Sequence, residues 1–447
     1  CAGTEAAGRR TRHPPPRAAK TLPLMATRDI HVYAHWEGLP DAVPMGVLSV
    51  HRSRGREIYS FAYHKAWIAR AGHVVLDPGL RFFGGPQYPT GDRPGFGLFL
   101  DSAPDRWGRM LMQRREALIA RREGRAVRTL LGSDHLLGVS DHARMGGLRF
   151  KLDPAGPFLN DDPALAIPPM ERLRELERAS LALEDDGDDA PGDDRMRWLD
   201  LLLAPGSSLG GARPKASVVD ERGHLWIAKF PSRNDEVDKG AWELVAHELA
   251  IRCGITVAPA RALRLKGPGH TFLARRFDRS AKGVRTHFAS AMTMLGRTDG
   301  DDATTGASYL ELAEFLMRHG ARTDADLHQL WKRIVLNILI GNTDDHLRNH
   351  GFLLRDGGWE LAPAYDLNPE PHGRGLSLNI DMHSNALSLG LAMEVAPYFR
   401  LSPRRAASTV RALSERVAKD RVPIAKEAGL SRREMERMEA AFMAHQS

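Results

Sequence analysis

From Leu327 to Ile340 the chain reads as a helix that is apolar on nearly every face. Such a helix cannot lie on a surface, so it must be buried, with a lobe built around it. It runs into Gly341, and a dense polar cluster follows: Asn342, Asp344, Asp345, His346 and Asn349. Packing rarely needs two carboxylates, an imidazole and two amides at the end of a buried helix.

The spacing has a chemical reading. Asp344 and Asn349 are separated as in the catalytic loop of protein kinases, where an Asp orients the attacking hydroxyl and an Asn holds Mg²⁺. A further carboxylate should follow to complete such a metal site, and Asp366 does, in Ala362-Pro-Ala-Tyr-Asp-Leu367. Asp and Asn also occur after helices as turn formers and caps. The spacing alone is weak evidence, and the rest of the chain decides.

With 447 residues the chain is long enough for two or three domains and a substantial core. Its two cysteines, Cys1 and Cys253, allow no disulfide framework and no Cys-based zinc site, which points to a reducing compartment and a cytoplasmic protein. The net charge is +7, but residues 1–28 hold six cations against one acid. The remainder is nearly neutral and shows no polyanion footprint. No apolar run approaches the roughly 18 residues of a membrane span. The basic N-terminal stretch has no apolar core of a secretory signal.

Residues 1–28, with Pro14-Pro15-Pro16, cannot build a core and read as a disordered extension, Met25 standing directly before structured sequence. Residues 29–150 alternate as strands and then turn helical, giving a small α+β subdomain. In it Asp101 and Asp105 read as a helix-start and turn pair. Residues 151–206 read as a linker, broken by prolines and by an acidic run between Glu184 and Asp194 that suits a solvated loop.

Ser207-Ser-Leu-Gly-Gly-Ala-Arg-Pro-Lys215 is a Gly-containing loop that opens a hairpin. Its backbone N–H groups can cradle phosphate oxygens, because no side chain blocks close approach. Lys229 lies inside the second strand of that hairpin. Such a Lys either snorkels from an edge or contacts phosphates from within a cleft, and the Gly loop favours the cleft. A helix from about Asp235 to Cys253 follows, with Ser232 and Asp235 placed like a capping box. Its Glu243 either pairs with Lys229 or is an exposed helix residue. Thr271 to Arg279 reads as a strand and polar connection, the place of an adenine-contacting hinge in a two-lobed nucleotide enzyme. Arg276 and Arg279 there either bind phosphate or pair with Asp278. From about Ser308 the chain reads as helical to its end, with helix starts at Ser402-Pro403 and Ser431-Arg-Arg-Glu434.

Taken together, Ser208 to Lys215, Ala274 to Arg279, Gly341 to Asn349 and Pro363 to Asp366 resemble the HipA family, the serine/threonine kinases of bacterial type II toxin–antitoxin systems. The likeness spans about residues 30–445. It implies an α+β, bilobal protein-kinase-like fold: the N-terminal subdomain (29–150), a kinase N-lobe-like part (207–307) and an all-helical C-terminal lobe (308–447). It also implies ATP and Mg²⁺ as cofactors, with Asp344 as the catalytic residue and Asn349 and Asp366 as metal ligands. Gly210, Gly211, Ala212, Arg213, Pro214 and Lys215 would form the phosphate loop, and Lys229 the phosphate-contacting Lys. Arg275, Arg276 and Phe277 would form the hinge, with Asp278 near the ribose. His346, Leu347, Arg348 and Tyr365 complete the implied ATP site. Ser208 stands where the family carries an autophosphorylated Ser whose modification expels the phosphate loop, with Ser207 beside it. The implied partners are a small helix-turn-helix antitoxin, through which DNA would be contacted indirectly, and a protein substrate in translation such as an aminoacyl-tRNA synthetase; no membrane is implied. Two other functions compete: a small-molecule phosphotransferase, and a nucleotide-binding regulatory protein without kinase activity.

Overall fold

Strict alternation in the first described strands builds the N-terminal subdomain. In β1 (Thr27–Ala34), Ile30, Val32 and Ala34 point to one buried face. With β2 (Val43–Ser53), β3 (Arg56–Tyr63) and β4 (Leu148–Lys151) it forms an antiparallel sheet of order β3-β2-β1-β4. The computed structural model describes residues 27–443 apart from 54, 71–73, 92, 161–166, 185–191, 204–210 and 212.

Helix α1 (Arg106–Arg122) starts where the Asp105 carboxylate accepts the Gly108 N–H. It packs with α2 (Leu173–Glu184) and α3 (Gly192–Leu203). These helices cover the second sheet, made of β5 (Lys215–Val219), β6 (Leu225–Lys229), β7 (Ala260–Arg264) and β8 (His270–Arg275) in the antiparallel order β5-β6-β8-β7. Leu111, Leu176 and Leu202 share one core with Val218, Phe230 and Leu273. The stretch 151–206 is therefore not a mere linker: its two helices bury one face of the N-lobe sheet. Helix α4 (Lys239–Arg252) packs against β7 and β8. It begins later than expected, because Asp238, not Ser232 or Asp235, caps it by accepting the Ala241 N–H.

The C-terminal lobe is not all-helical. Strands β9 (Phe288–Ser290), β10 (Gly351–Arg355) and β11 (Gly358–Leu361) form a sheet of order β11-β10-β9. Around it stand α5 (Tyr309–His319), α6 (Thr323–Ile340) and α7 (Pro403–Glu427). The chain nevertheless has the α+β, bilobal form. Helix α7 starts at Ser402-Pro403 as the sequence suggests. At 431–434 only half of the capping box forms: Ser431 accepts the Glu434 N–H, while the Glu434 carboxylate accepts the Asp238 N–H ahead of α4 (2.6 Å).

Helix α6 is the centre of this lobe. Leu330, Trp331, Ile334, Val335, Leu336, Ile338, Leu339 and Ile340 are all buried, each worth roughly 1.5–3 kcal/mol relative to exposure. It stops at Gly341, which takes the left-handed conformation (φ +62°) with its missing side chain against the Ala441 backbone. A Cβ there would lie 2.5 Å from the Ala441 carbonyl oxygen. At Gly429, also left-handed (φ +80°), a Cβ would meet nothing within 4 Å. Gly429→Ala should cost about 1–2 kcal/mol in chemical denaturation, the backbone strain alone. Gly341→Ala should cost clearly more, because the clash adds to the strain. Equal costs would show that residue 441 does not hold the end of α6.

Candidate active site

The loop that follows α6 is fixed from below by a buried polar network. Asp345 accepts hydrogen bonds from the Tyr309 hydroxyl (2.7 Å) and the Asn337 amide (2.6 Å), and pairs with His350 Nε2 (2.7 Å). Asn342 donates to Asn337 Oδ1 (3.0 Å) and accepts the Asn368 N–H (3.1 Å). A buried carboxylate is tolerable only when its lone pairs are engaged, and these contacts engage it. Asp345 and Asn342 are thus the loop's anchors, more than turn formers. Tyr309, Asn337, His350 and Asn368 were not singled out from the sequence. Polar residues inside the otherwise apolar helix readings, such as Asn337, were the available signal.

On these anchors stand the remaining residues of the loop. Asp344 is exposed. Partial desolvation raises the pKa of its carboxyl, as do Asp366, Asp345 and Glu370, while His346 opposes them. The Asn349 amide donates to the Asp344 carbonyl (2.9 Å), and its Oδ1 is a buried acceptor without a hydrogen-bond partner. The Tyr365 hydroxyl donates to the Arg348 carbonyl (2.8 Å), which ties this loop to the segment carrying Asp366. Leu347 is buried and the His346 Nδ1 has no hydrogen-bond partner.

Asp366 itself is left-handed (φ +60°), a conformation that costs a non-glycine residue about 1–2 kcal/mol. Its carboxylate accepts from Lys229 Nζ (2.5 Å) and Asn368 Nδ2 (2.9 Å). Lys229 also pairs with Glu243 (2.5 Å), so the helix carboxylate does meet the strand Lys. Burial acts to raise the Asp366 pKa, but Lys229 outweighs it and holds the carboxyl well below the ordinary range. For Lys229 burial acts to lower the pKa, and Asp366 and Glu243 together raise it. The Lys is therefore charged, bridging β6, α4 and the segment after β11.

Beside this triad lies an apolar slot. Ile227, Phe272, Ala274, Phe277, Tyr365 and Leu367 line it, with Phe277 and Tyr365 rings 5.6 Å apart. It encloses about 50 Å³, far below the roughly 300–1,000 Å³ of ligand pockets. Lys229 and Asp366 also line it.

Of the residues expected at the hinge, Arg275, Arg276 and Phe277 line the slot. Asp278 does not line the slot. It is fully buried, accepting from Arg276, Arg279 (2.7 Å) and the Gly146 N–H (2.9 Å). Burial works against its ionisation, but the two guanidiniums outweigh it and hold its pKa down at about 2. Arg276 also donates to the Ala143 carbonyl (2.6 Å). These side chains bind the hinge to the N-terminal subdomain. The N–H groups of Arg275 and Arg276 go to the Pro259 and Leu225 carbonyls. In the phosphate loop, Lys215 is buried against Asp105 (3.0 Å) and Arg213 pairs with Asp235 (2.9 Å). Asp105, read as a turn residue, thus has a second task. Gly211 has φ +86°, and Pro214 is buried. Ser207, Ser208, Gly210 and Ala212 lie outside the described residues.

Comparison with known proteins agrees with this geometry. Residues 207–421 match the HipA-like C-terminal domain family. That match covers just under half of the chain and makes it similar to the HipA family. The fold is also that of HipA from Shewanella oneidensis MR-1, solved with HipB and operator DNA. The match has a TM-score of 0.62 and covers 93% of this chain and 95% of that one, at 17% identity. Two Sinorhizobium fredii proteins provisionally named kinases are also similar. Y4mE is 31% identical over 148 residues, 32% of this chain and 33% of Y4mE; Y4dM is 27% identical over 222 residues, 43% and 53%. A provisionally named kinase from Haemophilus influenzae is 32% identical over 101 residues, 21% of this chain and 29% of its own length. The chain thus spans between about a third and a half of these curated relatives. Among the described residues, no helix is long and apolar enough to cross a membrane.

The raised pKa of Asp344 has a stability consequence. Its folded pKa lies above its unfolded one, so its ionisation costs stability as pH rises through that window. Asp344→Asn should therefore melt at a higher temperature than the native protein at pH 7. The gain should fade toward about pH 3, where the native carboxyl is protonated as well. An unchanged or lower melting temperature at pH 7 would contradict the assignment.

Proposed function

We propose that the protein is an ATP- and Mg²⁺-dependent serine/threonine protein kinase and the toxin of a toxin–antitoxin pair. One observation carries the reading: Lys229, held by Glu243 and Asp366, faces a rigid loop that presents Asp344 and the unsatisfied Oδ1 of Asn349. Phosphoryl transfer asks for positioning and charge neutralisation rather than a covalent enzyme intermediate, and these parts supply both.

Mg²⁺ takes oxygen donors, usually one or two from the protein with phosphate oxygens and water completing the shell. Asn349 Oδ1, an orphaned buried acceptor, and the strongly ionised Asp366 carboxylate fit that donor set. Among the described residues no cluster of three His, Cys, Asp or Glu side chains could hold a metal without such help. When bound, the ion would neutralise charge on the transferring phosphoryl group.

The apolar slot would take the adenine, with Phe277 and Tyr365 against its faces. Lys229 would turn from Asp366 toward phosphate oxygens while keeping Glu243. Asp344 would accept a hydrogen bond from the acceptor hydroxyl and orient it toward the phosphorus. Its raised pKa suits it to hold the departing proton better than an ordinary carboxylate. Autophosphorylation would fall at Ser208 or its neighbour. The HipB and operator DNA held by Shewanella HipA support a small helix-turn-helix antitoxin that makes the DNA contact. The substrate would be a protein of translation, such as an aminoacyl-tRNA synthetase.

Incubation with labelled ATP and Mg²⁺ should label the native protein, and peptide mass spectrometry should find phosphate on Ser207 or Ser208. Asp344→Ala and Asp366→Ala should each cut labelling by roughly a hundredfold or more while remaining folded by circular dichroism. Native-like transfer in either variant would sink the assignment.

A further inference from the structure

A second cleft, of about 590 Å³, opens between the N-terminal subdomain and the C-terminal lobe. One wall comes from the β2–β3 hairpin, the segment 93–103 and α1; the other comes from residues 292–299 and the loop of Asp344. Its lining includes Arg56, Arg93, Arg109, Arg297 and Arg348, against only Glu57 and Asp299 as acids. Arg297 is paired with Glu311 outside the lining (2.8 Å), so the cationic excess rests on Arg56, Arg93 and Arg109. Glu57 is already engaged by Arg52, Ser133 and Tyr59. Asp299 pairs with Arg348 (2.9 Å), but its side chain is 72% exposed, so the pair is open to exchange.

Arg109 shows the imbalance best. It is half-buried, and among the described residues its guanidinium donates to a neutral carbonyl, that of Pro104 (3.0 Å). Burial and then Arg348 disfavour its charge, with Asp299 and Asp105 opposing only in part. Between the arginines the cleft is apolar, through Phe96, Phe99, Leu100 and Met292. An occupant must therefore carry negative charge and also fill a greasy floor. An acidic peptide with apolar side chains does so. A nucleic-acid strand brings the charge, but its readers pair cations with stacking aromatic faces along an open groove. Position adds a further argument. Arg348 stands between Asp344 and Asn349, so one loop serves both the cleft and the reacting centre. Asp101, at the cleft's edge, accepts the Ser290 N–H (2.8 Å) and hydroxyl (2.7 Å), which fastens the N-terminal subdomain to β9 beside that loop.

We propose that this cleft is the docking site for an acidic segment of the acceptor protein, held there while a nearby hydroxyl is presented to Asp344. The idea rests on the kinase reading above, and binding can be measured apart from catalysis. The probes are three fluorescent ligands: a serine peptide rich in Asp, Glu and Leu, its Lys counterpart, and single-stranded RNA matching the acidic peptide's charge. The acidic peptide should bind, weakening as salt rises. The Lys peptide should not bind. Arg109→Glu and Arg93→Glu should each weaken the acidic peptide about tenfold or more, the scale of losing a charge-assisted contact and gaining a repulsion. Nucleotide affinity and self-labelling should stay native in both variants, which also shows that they fold. Serine peptides fixed with acids should then be phosphorylated faster than those fixed with Lys. Absence of acidic-peptide binding, equal binding in both variants, or RNA binding at least as tightly overturns the proposal. Intact, variant-sensitive peptide binding with no phosphate transfer to any acceptor, the protein itself included, would instead overturn the kinase reading and leave the cleft as an acidic-peptide site.

Discussion

One ammonium group sits between two carboxylates, and the relation of the two lobes depends on it. Lys229 Nζ is 2.5 Å from both Glu243 and Asp366. Glu243 belongs to the N-lobe helix and Asp366 to the segment after β11, so a single cation spans the cleft. Without it, the buried Glu243 carboxylate would stand unpaired beside the partly exposed Asp366, and a buried charge left without its partner is destabilising. The same contact forms part of the wall of the slot. Lys239 on the same helix as Glu243 pairs with Glu370 of the same segment as Asp366 (3.0 Å), a second tie between the two lobes.

The opposite side of the site is built for immobility. Asp345 spends its acceptor capacity on a tyrosine, an amide and an imidazole from α5, α6 and the loop itself. Asn342 reaches both back to α6 and forward to Asn368. Such networks hold geometry. Asn349 Oδ1 and His346 Nδ1 in the loop, and His350 Nδ1 within the network, are left without a hydrogen-bond partner.

Much of this was legible before any coordinates. The apolar run 327–340 required a buried helix, and α6 is one. The Gly loop, Lys229, Asp344, Asn349 and Asp366 were read from motif order; Lys229 and Asp366 meet directly, and Asn349 bonds to the Asp344 backbone. What failed had local causes. The β10–β11 hairpin was lost within a helical reading although Asp356-Gly357 is a strong hairpin signal. The helices in 151–206 were hidden by prolines and acids around them. Lys215 and Arg213 were assigned by motif position, but their partners are Asp105 and Asp235, while of the two readings left open for Arg276 and Arg279 the structure shows the pair with Asp278. Asp105, like the Gly146 N–H and Ala143 carbonyl that hold Asp278 and Arg276, comes from a distant subdomain that no local pattern encodes.

The close fit of Gly341 against Ala441 bears on how the chain is made. Around it, Glu434 reaches Asp238, Arg437 pairs with Glu236, and Phe442 packs on Trp242. Residues near the far end of the chain thus finish both the start of α4 and the end of α6. A nascent chain that has extruded the Asp344 loop still lacks the segment that seats the two elements beneath it. The order of synthesis therefore places assembly of this centre after the segment around Ala441 has emerged.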